Sequence, residues 1–330
     1  MSPTEQPKTD AKQSLNMGSS FRNIQYFASH LMRLLLSLSL FILSLASCAA
    51  LETENPEKPV RLGDPMLTEA SGLAFSRHDP KLLWVINDSG ATASAHLTDT
   101  QGTPRGLLHL QGVENTDWED LAAFTLDSKP YLLIADCGDN EARRQQVTLH
   151  LIAEPTPPSP GASQGLNLAP DWSINFRYED GPRDCEGVAV DSNNQSILLI
   201  SKREKQPVIY QLPLRKPNAG EVFTAKRLGP LATLPLPAKT LPHPYASQPT
   251  GLDVSADGKL AAVLTYRGVY LFRRSAKESW AQAFAKAPEI LGAHGLSQAE
   301  ALAFSPHART IFVTSEGKRP RLISMPVPKK

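Results

Sequence analysis

Acidic side chains recur in this sequence at places where a fold could gather them into one site. Five similar motifs each begin with a polar residue, pass through a small residue and enter an apolar stretch. Their polar residues, 50 to 67 positions apart, are Glu69, Glu119, Glu186, Thr250 and Glu300. Carboxylates brought close together raise each other's pKa or require a cation. Oxygen ligands of this kind suit Ca²⁺ or Mg²⁺ better than zinc.

The apolar stretches around these motifs predict strands. Each motif is followed, about ten residues later, by a second apolar run such as Leu82-Leu83-Trp84-Val85-Ile86 or Ile197-Leu198-Leu199-Ile200. Short apolar runs that are bounded by turn residues are typical of buried strands. A third, alternating strand and a more polar fourth usually follow, and this repeat predicts an all-β β-propeller with about four antiparallel strands in each blade. We count five blades, with six as the alternative.

A propeller would place the acidic residues together. The loop entering each innermost strand and the loop leaving each second strand lie on the same face, near the axis. The glutamates then stand beside Asn87-Asp88 and Asp136-Cys137-Gly138-Asp139-Asn140. One hypothesis is a hard divalent cation at this face. The alternative is structural, in which each carboxylate caps backbone N–H groups or pairs with a basic residue, the candidates being Arg143, Arg144, Arg183, Lys202 and Arg203.

Two of the three cysteines fall at the same predicted face. Cys137 leaves the second strand of blade two, and Cys185 enters the inner strand of blade three. Because adjacent blades would bring them close, a lone pair in an oxidising compartment predicts a disulfide between them. Two thiols without a histidine at ligand spacing make a poor zinc site.

The third cysteine belongs to a targeting signal. Residues 32–48 read MRLLLSLSLFILSLASC, with one positive charge before an apolar run that is too short to span a bilayer. The end of this segment, Leu45-Ala46-Ser47-Cys48, resembles the lipobox of bacterial lipoproteins, which implies lipidation of Cys48. Ala49 follows the cysteine, and in Gram-negative lipoproteins a residue other than aspartate there implies the outer membrane, facing the periplasm. Translation starts at Met17 and Met32 remain alternatives to Met1.

These observations divide the chain into three parts. Residues 1–47 are predicted to be a signal peptide, 48–66 a tether with a possible closing strand for the ring, and 67–330 the propeller. The chain has 34 basic and 33 acidic residues and a formal net charge of +1. Nothing in this balance indicates a nucleic-acid partner. Local signatures of serine hydrolases, zinc proteases, P-loops and dinucleotide sites are absent from the sequence.

The motifs also carry a resemblance to known proteins. The segments Thr68-Glu69-Ala70-Ser71-Gly72-Leu73-Ala74, Trp84-Val85-Ile86-Asn87-Asp88-Ser89-Gly90, Asp117-Trp118-Glu119-Asp120-Leu121-Ala122 and Asp136-Cys137-Gly138-Asp139-Asn140 resemble a group of secreted bacterial propeller proteins. The repeat layout is also similar to phytase-like and gluconolactonase-like propellers. In those enzymes an axial Ca²⁺ is held by Glu, Asn and Asp from different blades. The resemblance implies the candidate Ca²⁺ ligands Glu69, Asn87, Asp88, Glu119, Asp136, Asp139, Asn140, Glu186 and Glu300.

Two functions remain open at this point. The first is a binding module that holds an envelope protein, a glycan or a small molecule around the acidic axial site. The second is a Ca²⁺-dependent hydrolase of a phosphoester, lactone or ester, in which Asp136 or Asp139 is the candidate base or nucleophile. The sequence alone does not separate these two, since a shared fold does not carry a function with it.

Overall fold

A computed structural model describes residues 59–158, 165–238, 240 and 245–329. The signal peptide, Cys48 and most of the predicted tether lie outside these residues, and the domain boundaries stay predictions. Strands dominate the described chain, which also contains one short α-helix, α1 (Trp280–Phe284). No helix within these ranges is both long enough and apolar enough to cross a membrane.

The strands form five antiparallel units within the described residues. The first four each contain four strands and the fifth contains three. Their bounds are β1 (Ala70–Phe75), β2 (Leu82–Asn87), β3 (Ser94–Asp99) and β4 (Pro104–Leu110); then β5 (Trp118–Leu126), β6 (Lys129–Asp136) and β7 (Val147–Ala153), with β8 (Gly165–Leu168) and β9 (Trp172–Tyr178); then β10 (Cys185–Asp191), β11 (Ser196–Ser201), β12 (Val208–Pro213) and β13 (Phe223–Pro230); then β14 (Pro249–Val254), β15 (Leu260–Thr265), β16 (Val269–Arg273) and β17 (Glu289–Gly292); and finally β18 (Ala299–Phe304), β19 (Thr310–Ser315) and β20 (Ile323–Pro326).

Two parallel contacts join neighbouring units. Strand β8 does not belong to the second unit but pairs with β4 of the first, and β9 of the second unit pairs with β13 of the third. The other ladders among the described strands are antiparallel and join strands that follow each other in sequence. The one exception is the antiparallel pair β7 and β9, which β8 separates in the sequence. These pairings leave each unit as an antiparallel sheet whose first strand is the innermost one.

The innermost strands form a closed ring. Strand β1 packs against β5, β5 against β10, β10 against β14, β14 against β18, and β18 returns to β1. All residues of β1, β10 and β18 are buried, whereas the outer strand β4 is largely exposed or half-buried. Such a gradient from a buried inner strand to an exposed outer strand, repeated around a closed ring, defines a β-propeller. Five inner strands of the described residues form this ring, and the blade count of five stays a prediction.

The hydrophobic cores lie between neighbouring units. One core joins the second and third units through Phe124, Phe176 and Tyr210, and another joins the fifth and first through Leu73 and Ala301. Because every sheet therefore buries both faces against its neighbours, its inner strands read as unbroken apolar runs in the sequence.

Residues 60–62 lie along the last unit. Leu62 N donates to the Pro320 carbonyl at 2.9 Å, and Leu322 N donates to the Val60 carbonyl at 3.0 Å. An isolated antiparallel bridge joins Arg61 to Arg321 between these two bonds. A segment that precedes β1 thus adds an outer edge to the unit formed by β18, β19 and β20.

Candidate metal centre

Each inner strand begins with the same irregularity. The pairing of the first and second strands slips by one residue in all five units, between Ala70 and Gly72 in the first unit and at matching places in the others. A bulge of this kind leaves one extra residue unpaired and redirects its side chain. The extra residues are Ser71, Glu119, Glu186, Thr250 and Glu300.

This register corrects the sequence alignment of the first unit. Glu69 was aligned with the other glutamates, but the bulge position there is Ser71, and Glu69 is an exposed residue before the strand. The two hydroxyl residues act alike, since Ser71 Oγ donates to the Trp118 carbonyl at 2.8 Å and Thr250 Oγ1 to the Ala299 carbonyl at 2.7 Å. Bulge positions therefore carry carboxylates in three units and hydroxyls bonded to the next unit in two.

The carboxylates meet at the end of the ring where inner strands begin and second strands end, which we call the mouth. Their oxygen atoms form three overlapping groups, in each of which the ligand atoms lie within 4.8 Å of one another. Two oxygens bound to one Ca²⁺ are at most about 5 Å apart, so each group has metal-compatible spacing. The groups are Asp88, Glu300 and Glu316; Asp88, Asp117 and Glu119; and Glu119, Asp184 and Glu186.

Basic residues pair with some of the carboxylates in the outer two groups. Lys202 Nζ lies 2.7 Å from Glu186 Oε1 and 3.9 Å from Glu300 Oε1. Arg203 Nε lies 2.6 Å from Asp184 Oδ2. Tyr266 adds a hydroxyl that donates to Glu300 Oε1 at 2.7 Å. The structural alternative from the sequence, pairing with Lys202 and Arg203, therefore describes these carboxylates.

The middle group, Asp88, Asp117 and Glu119, differs. Within the described ranges none of its three carboxylates forms an ion pair, and the Glu119 carboxylate also accepts no hydrogen bond, although the residue is only 4% exposed. Gly138 makes room for it, because a Cβ there would collide with Glu119 Oε1 and Asp117 Oδ2. A buried carboxylate without a partner is costly, and a bound cation is one way to stabilise it.

The pKa values record this crowding. Burial, and then the negative charges of Glu186, Asp88 and Asp117, raise the pKa of Glu119 well above its ordinary value. Burial and the Asp88 carboxylate raise the pKa of Asp117 to about 6. Burial raises the pKa of Glu186 and of Glu300 to about 8 even though Lys202 opposes the shift. The mouth thus holds more negative charge than its own basic groups balance.

The structure separates the predicted ligands into two sets. Asp88, Glu119, Glu186 and Glu300 lie in the metal-compatible groups, and Glu69 stands at their edge, where it contributes to raising the pKa of Glu316. Of the other four predicted ligands, Asp136 and Asp139 lie in none of these carboxylate groups. The remaining two, Asn87 and Asn140, are amides, and their contacts decide their role.

Structural contacts occupy that second set. Asn87 accepts from the backbone N–H of Thr68 and Glu69 and donates to the Met66 carbonyl. Asn140 accepts from Arg203.

The two candidate catalytic aspartates are held in the same way. Asp136 pairs with Arg144 at 2.7 Å, and Asp139 accepts from the backbone N–H of Arg143 and Arg144. These contacts give both carboxylates a structural role.

Three carboxylates and one phenol at the mouth are not among the predicted ligands. Asp117 and Asp184 each stand two residues before a bulge glutamate, and in extended chain positions i and i+2 share a side, so this spacing was the available signal. Glu316 and Tyr266 follow second strands, a position that the repeat itself assigns to the mouth, but no local pattern marks them as ligands.

The two cysteines are neighbours across the second and third units. Both are fully buried free thiols, and Cys137 Sγ donates to the Cys185 carbonyl at 3.5 Å. The hydrogen bond with the Cys185 thiol, together with burial, raises the pKa of Cys137 well above its ordinary value. The expected proximity is present, the bond itself is absent from this structure, and the disulfide stays a prediction.

Comparison with known proteins adds little to this geometry. No family model matches the chain, and no curated protein matches it. A solved structure titled "Crystal structure of Nidogen/Laminin Complex" is similar over 76% of this chain and 73% of that chain, with 13% identity and a TM-score of 0.38. A similarity this low carries no argument, so the propeller assignment rests on the closed ring of strands.

Proposed function

We propose that this protein is a lipid-anchored binding module of the bacterial cell envelope whose propeller holds Ca²⁺ at its mouth. The ligands would be Asp88, Asp117 and Glu119, contributed by the loop after β2 and by the entry to β5. The bound ion would then present open coordination positions to a ligand from outside.

One observation carries the proposal. Glu119 is almost fully buried, yet within the described residues its carboxylate has neither a hydrogen bond nor an ion pair, and it belongs to two metal-compatible groups at once. Three carboxylates and no thiol or imidazole in the middle group favour a hard cation. The oxygens of the group lie within 4.8 Å of one another, a spacing that the coordination shell of Ca²⁺ accepts.

Calorimetric titration of the full chain with CaCl₂ tests the cation site. We expect micromolar binding in the unchanged protein and at least about a 50-fold weakening in Glu119→Gln, which keeps the side-chain volume and removes one charge. A matched control is Glu221→Gln, since Glu221 pairs with Arg215 away from the mouth. Absence of binding heat in the unchanged protein, or equal affinity in the two variants, would refute the site.

The hydrolase alternative has less support. It requires a carboxylate beside the cation with an oxygen free to accept a proton, and its candidates, Asp136 and Asp139, are held by Arg144 and by backbone N–H groups. A binding module needs no such base, so the geometry favours it.

The anchor is a separate part of the proposal, because Cys48 lies outside the described residues. In a bacterial host, the unchanged chain should incorporate radiolabelled palmitate and sediment with outer membranes. The Cys48→Ser chain should incorporate none and leave the membrane fraction or remain unprocessed. Membrane association that survives this substitution would show that the anchor assignment is wrong.

A further inference from the structure

A cavity of about 440 Å³ opens beside the mouth. Its lining residues are Thr240, Tyr266, Arg267, Ala293, His294, Gly295, Leu296 and Ser297. These residues come from the turn after β15 and from the segments that precede β14 and β18, so they belong to the same end of the ring as the carboxylates. A volume of this size accommodates a small organic molecule.

Tyr266 connects the cavity to the carboxylates. It lines the cavity, and its hydroxyl donates to Glu300 Oε1 at 2.7 Å. Oxygens of Glu300 and Asp88 in turn lie within 4.8 Å of each other, and Asp88 also belongs to the middle group. A molecule that extends from the cavity past Tyr266 would therefore approach the carboxylates among which the cation is proposed.

The lining sets the charge that the cavity prefers. Among the described residues that line the cavity, Arg267 is the only one with a permanent charge. His294 donates from Nε2 to the Thr265 carbonyl and accepts the Leu296 N–H at Nδ1, and burial lowers its pKa, so the imidazole is neutral. Ala293, Gly295 and Leu296 provide apolar surface. A single anionic group beside an apolar body matches this lining, and a more highly charged anion would be repelled by the carboxylates at the mouth.

We propose that this cavity binds a small monocarboxylic acid, with its carboxylate on Arg267 and its other end extended across Tyr266 towards the cation. An oxygen at that far end would take an open coordination position on the ion. The second half of this inference rests on the proposed function, whereas the carboxylate site on Arg267 does not depend on it.

Ligand-observed NMR on the full chain provides the test, with 4-hydroxybenzoate as the probe because its carboxylate and hydroxyl lie at opposite ends. The neutral 4-hydroxybenzamide is the matched control. We expect the unchanged protein to bind the acid with millimolar affinity. The affinity for the acid should fall at least about tenfold in Arg267→Gln and be partly restored in Arg267→Lys. The unchanged protein should bind the amide no better than Arg267→Gln binds the acid. Added Ca²⁺ should tighten the acid several-fold in the unchanged protein but not in Glu119→Gln. A thermal unfolding midpoint equal to that of the unchanged protein shows that Arg267→Gln is folded.

The outcomes separate the two proposals. Equal binding of the acid and the amide, or equal binding of the acid by the unchanged protein and Arg267→Gln, overturns the carboxylate site. Binding that depends on Arg267 but not on Ca²⁺, in a protein that binds Ca²⁺ by calorimetry, overturns the link between cavity and cation. Binding that depends on Arg267 in a protein that takes up no Ca²⁺ supports the carboxylate site and refutes the cation site.

Discussion

Glu119 and Asp120 are adjacent residues with opposite surroundings. Both are buried, at 4% and 1% exposure. Asp120 Oδ2 accepts the backbone N–H of Val188 at 2.8 Å and of Leu252 at 3.2 Å, and its Oδ1 accepts the Leu121 N–H at 2.7 Å. The Glu119 carboxylate accepts no hydrogen bond within the described residues. Burial therefore does not distinguish these two carboxylates, whereas their hydrogen-bond partners do.

The interior of the ring follows the pattern of Asp120. Asp253 accepts the backbone N–H of Phe304 at 2.8 Å and of Val254 at 2.7 Å. Arg77 lies close enough for its charge to oppose the rise of the Asp253 pKa, which burial takes to about 6, and its guanidinium also donates to the Ala123 carbonyl. Carboxylates inside the ring are therefore bonded to inner strands, and the carboxylates of the middle group at the mouth have no such support.

The largest effect on stability is expected from Asp120→Ala. This substitution leaves three buried N–H groups from three different inner strands without an acceptor, which should lower the free energy of unfolding by about 3–5 kcal/mol. Urea unfolding measures the loss. Asp120→Asn keeps one acceptor oxygen and should lose less. A change below about 1 kcal/mol in Asp120→Ala would remove the distinction between the interior and the mouth.

An intermediate effect is expected from pH in the absence of divalent cations. Glu186 and Glu300 have an ordinary pKa of 4.5 and a folded pKa of about 8, so the folded state keeps protons that the unfolded state has released. The free energy of unfolding should therefore fall as pH rises towards 8. Each such proton contributes a loss of about 1.4 kcal/mol per pH unit, which corresponds to a fall in Tm on the order of 3 °C per pH unit.

The useful window for this measurement is pH 6.5 to 8. Lys202 stays charged throughout it, because its folded pKa is raised above the ordinary 10.5. The pKa values of His150 and His294 are lowered in the folded protein, so these residues make stability rise with pH, but mainly below pH 6.5. Thermal unfolding in EDTA should show the fall, and CaCl₂ should reduce it. A Tm that rises across this window in EDTA would contradict the charge assignment at the mouth.

The smallest effect on stability is expected from Gly138→Ala. The added methyl group would displace the Glu119 and Asp117 carboxylates, which are the ends of side chains and can rotate away. We expect about 1 kcal/mol lost on unfolding, a modest value for a substitution at a buried position, but at least about a tenfold weaker Ca²⁺ affinity. Urea unfolding and calorimetry on the same preparation measure the free energy of unfolding and the Ca²⁺ affinity. Unchanged affinity would show that these two carboxylates do not act together.

The sequence predicted the fold better than the site. Unbroken apolar runs such as 82–86 mark inner strands reliably, because each sheet is buried on both faces. The site depends on the bulges, and a one-residue slip changes which side chain reaches the mouth. For this reason the sequence repeat matches Glu69 to the other glutamates, although the bulge residue of the first unit is Ser71, two positions later. The roles of Asp136 and Asp139 depend on contacts with Arg144 and with backbone N–H groups that only the folded loop creates.

The pairing of residues 60–62 with residues 320–322 has a consequence for biogenesis. Arg61 donates to the Arg319 carbonyl across a sequence separation of 258 residues, so this edge of the sheet forms only after nearly the whole chain has been synthesised. The earlier units can assemble from local hairpins, whereas the last junction must wait and pays the largest loop-closure entropy. A chain that ends before residue 320 would keep its hairpins but leave the ring without this junction. Shortening of the carboxyl terminus should therefore act on cooperative assembly of the whole ring rather than on one blade.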